Sequence, residues 1–453
     1  MKSYQITIPK SLNLLICLFP LSFILGNFYI NALIVLISCL GIAYYKKDLF
    51  IFEKKNPVVL IIFFFIIIIL STTFETLRNE GNGQIIKSII FLRYLFLLLV
   101  LRCMIIKSEI DLNKILIFSL IFSGFVASDV IFQFFVGYNI FGFKTYGVFP
   151  SSVFLNEPIA GGYILKFSIL GFFALPLILN KKKSRLTFFS FIFVSTCFLG
   201  TLFSSNRMPA ILFGLLLILL MFFFLIKKFD VKKTILIFIL VLFAAVLTNK
   251  IPSIKQRYDS FLGAIKIFSY ITDEFKRDYP ELEKYKNSGE SFYAIEELKD
   301  KREDYTQYPF WSGHGIIYMT SLDLIKDSPL LGRGIKSFRD TCREVWHRPN
   351  RVCQSHPHHF YLEIINDTGL VGLVLILVGG LILFFNNFKK FVKKNKKIKE
   401  IYKLTFYACF FALLMEFFPF RSQGSFFSST SASYVFFLTG ILLGLNDLKI
   451  KKR

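Results

Sequence analysis

The side chains of this sequence that can accept a proton near neutral pH are concentrated in one stretch. All five histidines and both tryptophans lie within residues 311–359. A neutral imidazole can take the proton from a hydroxyl group as that group attacks an electrophile. Exclusion of polar residues from apolar segments does not explain why the other polar segments lack histidine. The stretch therefore predicts a reaction site that uses an imidazole base.

The apolar content decides which elements must position this stretch. Of the 453 residues, 54% are hydrophobic, and the mean hydropathy is +0.58. A soluble protein of this length would form several domains, whose polar surfaces hold the mean hydropathy near or below zero. We therefore expect an all-α, polytopic membrane protein of about 12 transmembrane helices. The apolar runs lie near residues 11–26, 28–45, 57–73, 86–106, 114–136, 160–179, 186–204, 208–226, 234–249, 362–386, 403–419 and 431–446.

The formal net charge is +24, and the basic residues that produce it are distributed as this membrane topology predicts. Basic clusters recur after every second apolar run, at residues 46–55, 102–114, 181–185, 227–233, 389–403 and 449–453. Positively charged connections stay on the cytoplasmic side of a membrane, so both termini are expected in the cytoplasm. This placement argues against nucleic acid as a partner and makes membrane lipids the expected surroundings.

The same topology divides the chain into three parts. Residues 1–249 would contain helices 1–9, residues 250–361 one large and mainly helical outer loop, and residues 362–453 helices 10–12. Within the loop, residues 258–285 have an amphipathic pattern, and residues 316–326 form a second helical candidate that ends before Pro329. The histidines are therefore expected outside the membrane, directly before the tenth span.

Two cysteines stand apart from the five in apolar runs. Cys342 and Cys353 fall in the outer loop, just before the histidine cluster. In an oxidising compartment they could form a disulfide that restrains that cluster. Free thiols or a pair of metal ligands are the alternatives.

Two motifs carry a resemblance to a known family. Residues 355–372 read Ser-His-Pro-His-His-Phe-Tyr-Leu-Glu, then Asn-Asp-Thr-Gly-Leu-Val-Gly, and run into a span; residues 327–338 contain Pro-Leu-Leu-Gly-Arg-Gly followed by Phe338. Both resemble the signature of the O-antigen ligase and polymerase superfamily, with His-Pro-His-Asn, Tyr-Leu-Glu and Glu-Thr-Gly before a membrane helix. The resemblance is specific across about residues 312–375, and elsewhere it rests on topology and short fragments.

The fragments are Ser205-Asn206-Arg207, which resembles a family Ser-Arg at a helix end, and the stretch from Lys144 to Gly162, which contains Glu157 and resembles an Arg-x-Ser-Gly-x-Phe pattern. The sequence departs from the family at three positions. His359 replaces an Asn, Lys144 an Arg, and His314 falls where many members carry an Arg.

The resemblance implies a membrane glycosyltransferase of the C-type class, which inverts the anomeric centre and works without a nucleotide sugar, a metal or another cofactor. Its donor would be an undecaprenyl-diphosphate-linked glycan. The acceptor would be lipid A-core for a ligase or a second lipid-linked glycan for a polymerase; a protein O-oligosaccharyltransferase is a third possibility. The site would face the periplasm from the bacterial inner membrane.

The residues can also be read for this chemistry directly. His358 aligns with the catalytic histidine of the family and is assigned as the base that activates the acceptor hydroxyl. A diphosphate leaving group needs fixed cations, and the candidates are Arg207, Lys144, His314 and Arg93. Supporting roles fall to His356, His359, Glu363 and Glu157, with Glu363 either orienting a histidine or capping a helix start.

The sequence also contains charges within apolar runs and is compatible with another class of membrane protein. Asp129, Lys166 and Glu416 also lie within apolar runs, where ion pairing is favoured. The histidines lack a convincing further ligand, so we expect no metal site. A flippase or exporter could also have twelve spans, but we find no paired halves or matching broken helices.

Overall fold

The structure is a computed structural model of the chain. It describes residues 7–449 except 54, 80–83, 146–148, 156, 180–182, 227–237, 240, 243–245, 247–249, 252–274, 306–312 and 393–397. The described residues are helical apart from loops and an isolated antiparallel bridge between Tyr138 and Lys144. The expected all-α architecture is therefore confirmed for this part of the chain.

Seventeen α-helices are described, and they are numbered here in chain order. In the first half these are α1 (Ile8–Cys17), α2 (Phe19–Leu25), α3 (Asn27–Tyr45), α4 (Val58–Asn79), α5 (Gln84–Phe91), α6 (Arg93–Ile106), α7 (Leu112–Val136), α8 (Ala160–Phe172), α9 (Leu175–Ile178), α10 (Lys183–Phe203) and α11 (Arg207–Ile226). The second half contains α12 (Arg302–Tyr305), α13 (Gly313–Asp327), α14 (Phe338–Thr341), α15 (Phe360–Val392), α16 (Glu400–Glu416) and α17 (Ser429–Asp447). Short 3-10 helices occur at Lys46–Phe50, Ser152–Phe154, Pro280–Tyr285, Glu296–Lys301 and Cys342–Glu344.

Within the described residues, six helical stretches are long and apolar enough to cross a membrane, and a seventh is gained if the bent pair of α1 and α2 counts as one span. Each of them coincides with an apolar run of the sequence. Three shorter apolar helices, Ala160–Phe172, Phe188–Phe203 and Arg207–Phe222, coincide with further runs. Residues 234–249 lie largely outside the described residues, as does most of the amphipathic stretch 258–285. The length and composition of these helices therefore support a multi-pass membrane protein, and twelve spans stay a prediction.

Close approach of backbones holds the centre of the bundle together. Helix α17 packs against α6, where Gly440 faces the backbone of Leu98 and Gly444 faces Ile105. Small residues let apolar helices approach this closely, which strengthens their van der Waals contact in lipid. The ring of Phe437 on α17 also stacks on that of Phe19, with centroids 3.9 Å apart.

A break in α15 joins the membrane bundle to the polar segment before it. Gly369 has φ +66° and ψ −175°, which interrupts the helix. Its amide neighbour Leu370 donates to the carbonyl of Pro329 at 2.8 Å, and Arg333 donates to the carbonyl of Asn366 at 2.7 Å. The Pro-Leu-Leu-Gly-Arg-Gly motif thus wraps around the break and uses the backbone groups that the interrupted helix leaves free.

The same motif carries a buried ion network. The Arg333 guanidinium lies 3.1 Å from Glu75 of α4 and 2.6 Å from Glu344, and the arginine is 4% exposed. Because one cation bridges a membrane helix and the polar segment, the network holds the two parts in register.

Candidate active site

A disulfide and an ion pair hold the segment between α14 and His356 against helix α13. Cys342 and Cys353 form a disulfide in the structure, with their Cα atoms 5.2 Å apart. Buried Arg351 forms an ion pair with Asp323 of α13 at 2.7 Å. These links place the segment that leads to His356 against the helix that begins beside His314.

Three histidine rings form a row in which His358 is in the middle. The ring centroids of His358 and His356 are 4.1 Å apart, and those of His358 and His314 are 5.1 Å apart. His358 has a left-handed backbone with φ +55°, which a side chain with a Cβ seldom adopts. Its carbonyl oxygen accepts a hydrogen bond from the Gln423 amide at 3.0 Å, which holds this backbone conformation.

Hydrogen-bond partners distinguish the histidines chemically. His359 Nε2 lies 2.7 Å from the carbonyl oxygen of Pro419, which can only accept, so Nε2 carries the proton. Its Nδ1 faces the Leu362 amide at 3.4 Å. With both nitrogens engaged, His359 holds the fold of the loop rather than a substrate proton.

The remaining rings are less restrained. His356 Nδ1 lies 2.9 Å from the Ser355 hydroxyl, and His314 Nε2 lies 3.2 Å from the Ser422 hydroxyl. Among the described residues, the backbone carbonyl of Gln423 is the hydrogen-bond partner of the His358 ring. A carbonyl only accepts, so one ring nitrogen carries the proton and the other keeps its lone pair for a substrate.

Burial keeps these rings neutral. It lowers the pKa of His358 from 6.5 to about 4, with further lowering by His356 and His314. Burial also lowers the pKa of His314, His356 and His359, and the charge of Arg207 contributes at His314. An uncharged imidazole is the form that accepts a proton, so His358 is in its reactive form at neutral pH.

The loop of residues 417–428, between α16 and α17, forms the other wall of the site. Besides its contacts to three histidines, it binds Glu363, whose carboxylate accepts from the Ser425 hydroxyl and the Phe426 amide, each at 2.5 Å. Sequence reasoning missed this loop. It lies 58 or more positions after His359 and contains no histidine, and only its polar composition between two apolar runs distinguishes it.

The cationic candidates do not all gather at the histidines. Arg207 is exposed at the start of α11 and lies close enough to His314 to influence its pKa. Asn206, the residue before it, accepts from the Gly161 amide at 2.9 Å and donates to the carbonyl of Pro158 at 2.6 Å. The loop that carries Glu157 is thus fastened beside Arg207.

Lys144 is exposed, and in the described part of the chain no contact joins it to a histidine. Arg93 donates to Asn31 at 3.0 Å and to the Tyr94 hydroxyl at 2.8 Å. Its charge acts on Lys336, whereas the charge of Arg207 acts on His314. Arg93 and Arg207 therefore belong to separate groups of cations.

Two of the charges within apolar runs form the expected ion pair. Lys166 lies 2.7 Å from Glu416, which also binds Arg421 at 2.8 Å. Asp129 instead accepts from the Ser152 hydroxyl at 2.5 Å and holds the loop after α7. These groups stabilise the bundle, so they are not free to bind a substrate.

Glu363 also has a structural position. It lies in the first turn of α15, is 2% exposed and is held by the 417–428 loop. Both carboxylate oxygens are engaged there, and among the described residues no hydrogen bond joins Glu363 to a histidine. The helix-capping interpretation of this residue therefore fits the geometry better than the histidine-orienting one.

The family model described as O-antigen ligase matches residues 192–377. This part of the chain is therefore similar to an O-antigen ligase domain. The matched residues include Arg207, α13, the disulfide, the histidine row and the break in α15. Comparison with curated proteins gives no match to the chain.

The match to the O-antigen ligase model, together with the apolar helices, supports a multi-pass membrane protein of the glycosyltransferase type that acts on lipid-linked glycans. The family match ends before the 417–428 loop and begins after Lys144, Glu157 and Arg93. Among the described residues, no group of three His, Cys, Asp or Glu side chains could hold a metal ion.

Proposed function

We propose that the protein transfers a glycan from undecaprenyl diphosphate to a hydroxyl group of lipid A-core, as an inverting, metal-independent O-antigen ligase. The observation that carries the proposal is His358 itself, a neutral ring that lies between two other histidines and keeps one nitrogen lone pair, within the residues that match the O-antigen ligase model. We place this site on the periplasmic face of the bacterial inner membrane, with both termini in the cytoplasm.

In the proposed step, the lone pair of His358 takes the proton of the acceptor hydroxyl. The hydroxyl oxygen bonds to the anomeric carbon while the bond from that carbon to the diphosphate oxygen breaks. The electron pair of the broken bond leaves with undecaprenyl diphosphate, and the configuration at the anomeric carbon inverts. Arg207, beside His314, stabilises the charge that develops on the departing diphosphate.

Binding of the donor would also adjust the base. A pKa of about 4 makes His358 a weak base in the free protein. A bound diphosphate brings negative charge close to the row of rings, and negative charge raises the pKa of a histidine. The donor therefore strengthens the base that its own reaction requires.

The test is a transfer assay with purified protein in lipid, a verified undecaprenyl-diphosphate oligosaccharide and lipid A-core. Product on lipid A-core is expected, and His358→Ala should lower the rate about 100-fold or more, because a general base contributes that much. His347→Gln is the matched control, since His347 lies in the same polar segment but outside the row of rings.

Each alternative has its own outcome. A ladder of longer lipid-linked glycans would identify a polymerase, which needs the same base but another acceptor. An unchanged rate in the folded His358→Ala protein would remove the assignment of the base. Absence of product from the wild-type protein with both acceptors would contradict a transferase and favour a transporter.

A further inference from the structure

Lys166, Glu416 and Arg421 form an ion triad where α16 ends and the 417–428 loop begins, with side chains no more than 12% exposed. The two carboxylate oxygens of Glu416 bind different cations, one lying 2.7 Å from Lys166 Nζ and the other 2.8 Å from Arg421 Nη1. The same Arg421 nitrogen donates to the carbonyl of Met415 at 3.0 Å. Because Lys166 belongs to α8, one carboxylate connects the loop to a second helix of the membrane bundle.

The residues around Arg421 in the loop contact three histidines. The pairs, with the distances between their atoms, are Pro419 with His359 at 2.7 Å, Ser422 with His314 at 3.2 Å and Gln423 with His358 at 3.0 Å. Each of these loop residues lies within two positions of Arg421. The side chain of Gln423 also donates to the carbonyl of Glu416 at 3.2 Å. A displacement of Arg421 would therefore move the groups that contact all three histidines.

Helix α8 connects the ion triad to Arg207, the proposed ligand of the leaving diphosphate. The Gly161 amide in the first turn of α8 donates to the side chain of Asn206 at 2.9 Å, and Asn206 directly precedes Arg207. Lys166 follows Gly161 by less than two turns, which is about 7.5 Å along an α-helix. The arginine and the loop that contacts His358 are thus joined through a short part of one helix.

Stability alone is a weak explanation for this triad. Removing charged groups from water is costly, and apolar residues in place of a buried ion pair are often neutral or stabilising. An ion pair differs from an apolar contact in its geometry, because charged donors and acceptors hold each other at hydrogen-bond distance. Transfer chemistry depends on such precision, since a misplacement of about 1 Å can lower a rate about 100-fold. The triad therefore has the properties expected of a support for reacting groups.

We propose that Arg421 is a positioning residue of the transfer reaction, which holds the His358 base in place relative to Arg207. It acts through the other two members of the ion triad, which connect the 417–428 loop to α8. This inference rests on the proposed function, and it extends the site beyond residues 192–377, since the whole triad lies outside them. Because Arg421 is buried and bound to a carboxylate, it acts on the loop rather than on the substrate.

Three variants of the full chain in lipid test this role. Arg421→Met removes the charge, and Glu416 keeps Lys166 as its counter-ion. Arg421→Lys retains a cation, and one amine can replace the single nitrogen that contacts both Glu416 and the backbone. Arg102→Met is the matched control, since Arg102 is a buried arginine that pairs with Asp447 at 2.5 Å, at the far end of α17 from the loop.

The first measurement is the kinetics of transfer from a verified undecaprenyl-diphosphate oligosaccharide to the acceptor that the wild type uses. Arg421→Met should lower kcat about 10- to 100-fold, because the base is displaced. The KM for the donor should stay near that of the wild type, because Arg207 is unaltered. Arg421→Lys should restore most of the lost kcat. Arg102→Met should leave kcat unchanged even where its thermal stability falls.

The second measurement is an NMR titration of the histidine rings in isotopically labelled protein, in which His358→Gln assigns the signal of His358. Release of the loop admits water to this ring, so its pKa should rise from about 4 towards 6.5 in Arg421→Met and not in Arg102→Met. His356 and His314, the other titratable groups that act on His358, are present in each of these variants. The titration does not respond to a loss of stability alone, and it requires no transfer.

An unchanged kcat in Arg421→Met would overturn the proposal, as would a lower kcat without a change in the pKa of His358. A higher KM for the donor with an unchanged kcat would assign the arginine to substrate binding and would also overturn it. If Arg421→Met does not fold, Lys166→Met decides, because it leaves Glu416 and Arg421 paired but separates them from α8. A lower kcat and a raised pKa of His358 in that variant support the proposal, and wild-type values overturn it. If the pKa rises as expected but the wild type transfers no glycan, the positioning of His358 by Arg421 stands and the proposed function fails.

Discussion

Acidification provides a sharp test of His358, because the structure lowers its pKa to about 4. The reactive form is the neutral ring, so activity should fall only as the pH falls through the pKa of the folded protein. At pH 5.5, a group with a pKa of about 4 is about 97% neutral, whereas a histidine with the ordinary pKa of 6.5 is about 9% neutral. The two cases therefore differ about tenfold in the amount of active base.

The quantity to measure is kcat/KM from pH 7.5 to pH 4.5, since it reports ionisations of the free protein. We expect a less than twofold decrease at pH 5.5. The acid limb of kcat should lie at higher pH than that of kcat/KM, because the bound diphosphate raises the pKa of the ring. A kcat/KM that halves near pH 6.5, in protein that is still folded there, would refute the assignment of a buried, neutral base.

Three further changes have defined outcomes. Gly369→Ala should destabilise the protein by about 1–3 kcal/mol, because the added Cβ would have to adopt a left-handed backbone and would lie 1.9 Å from a backbone oxygen. Gly380→Ala is the control, since a Cβ at Gly380 faces open space. Equal thermal unfolding of the two variants would contradict the clash. The double variant Cys342→Ser with Cys353→Ser should lower the free energy of unfolding by about 3 kcal/mol, because the disulfide no longer closes a short loop in the unfolded chain. An unchanged thermal unfolding would show that the disulfide adds no stability. EDTA should leave the transfer rate unchanged, because the proposed step uses an imidazole base and protein cations; loss of activity that a divalent metal restores would contradict metal independence.

Local sequence was sufficient where one motif carries the chemistry. The His-Pro-His-His stretch indicated an imidazole base and its family, and the family match includes His358. The position of Glu363 in the first turn of a helix was also readable, because the apolar run begins beside it. Whether these residues perform the proposed chemistry stays a prediction that the assays above test.

The neighbours of the cationic side chains could not be predicted from the local sequence. Arg93 and Arg207 were grouped as one set of cations, but the fold associates Arg93 with Lys336. Nothing in the local sequence around Arg93 or Arg207 shows that the two arginines have different neighbours. Helix packing decides that arrangement, and it joins residues that are more than 200 positions apart.

The sequence by itself determined the membrane class, the helical architecture and the stretch in which the histidines are found. Hydropathy and charge act locally along a chain, since each apolar run must satisfy its own backbone in lipid. Only the tertiary structure decided which partner each histidine ring has, because Pro419, Ser422 and Gln423 belong to a distant loop. Neutrality of His358 is likewise a tertiary property, since burial among neighbouring rings lowers its pKa.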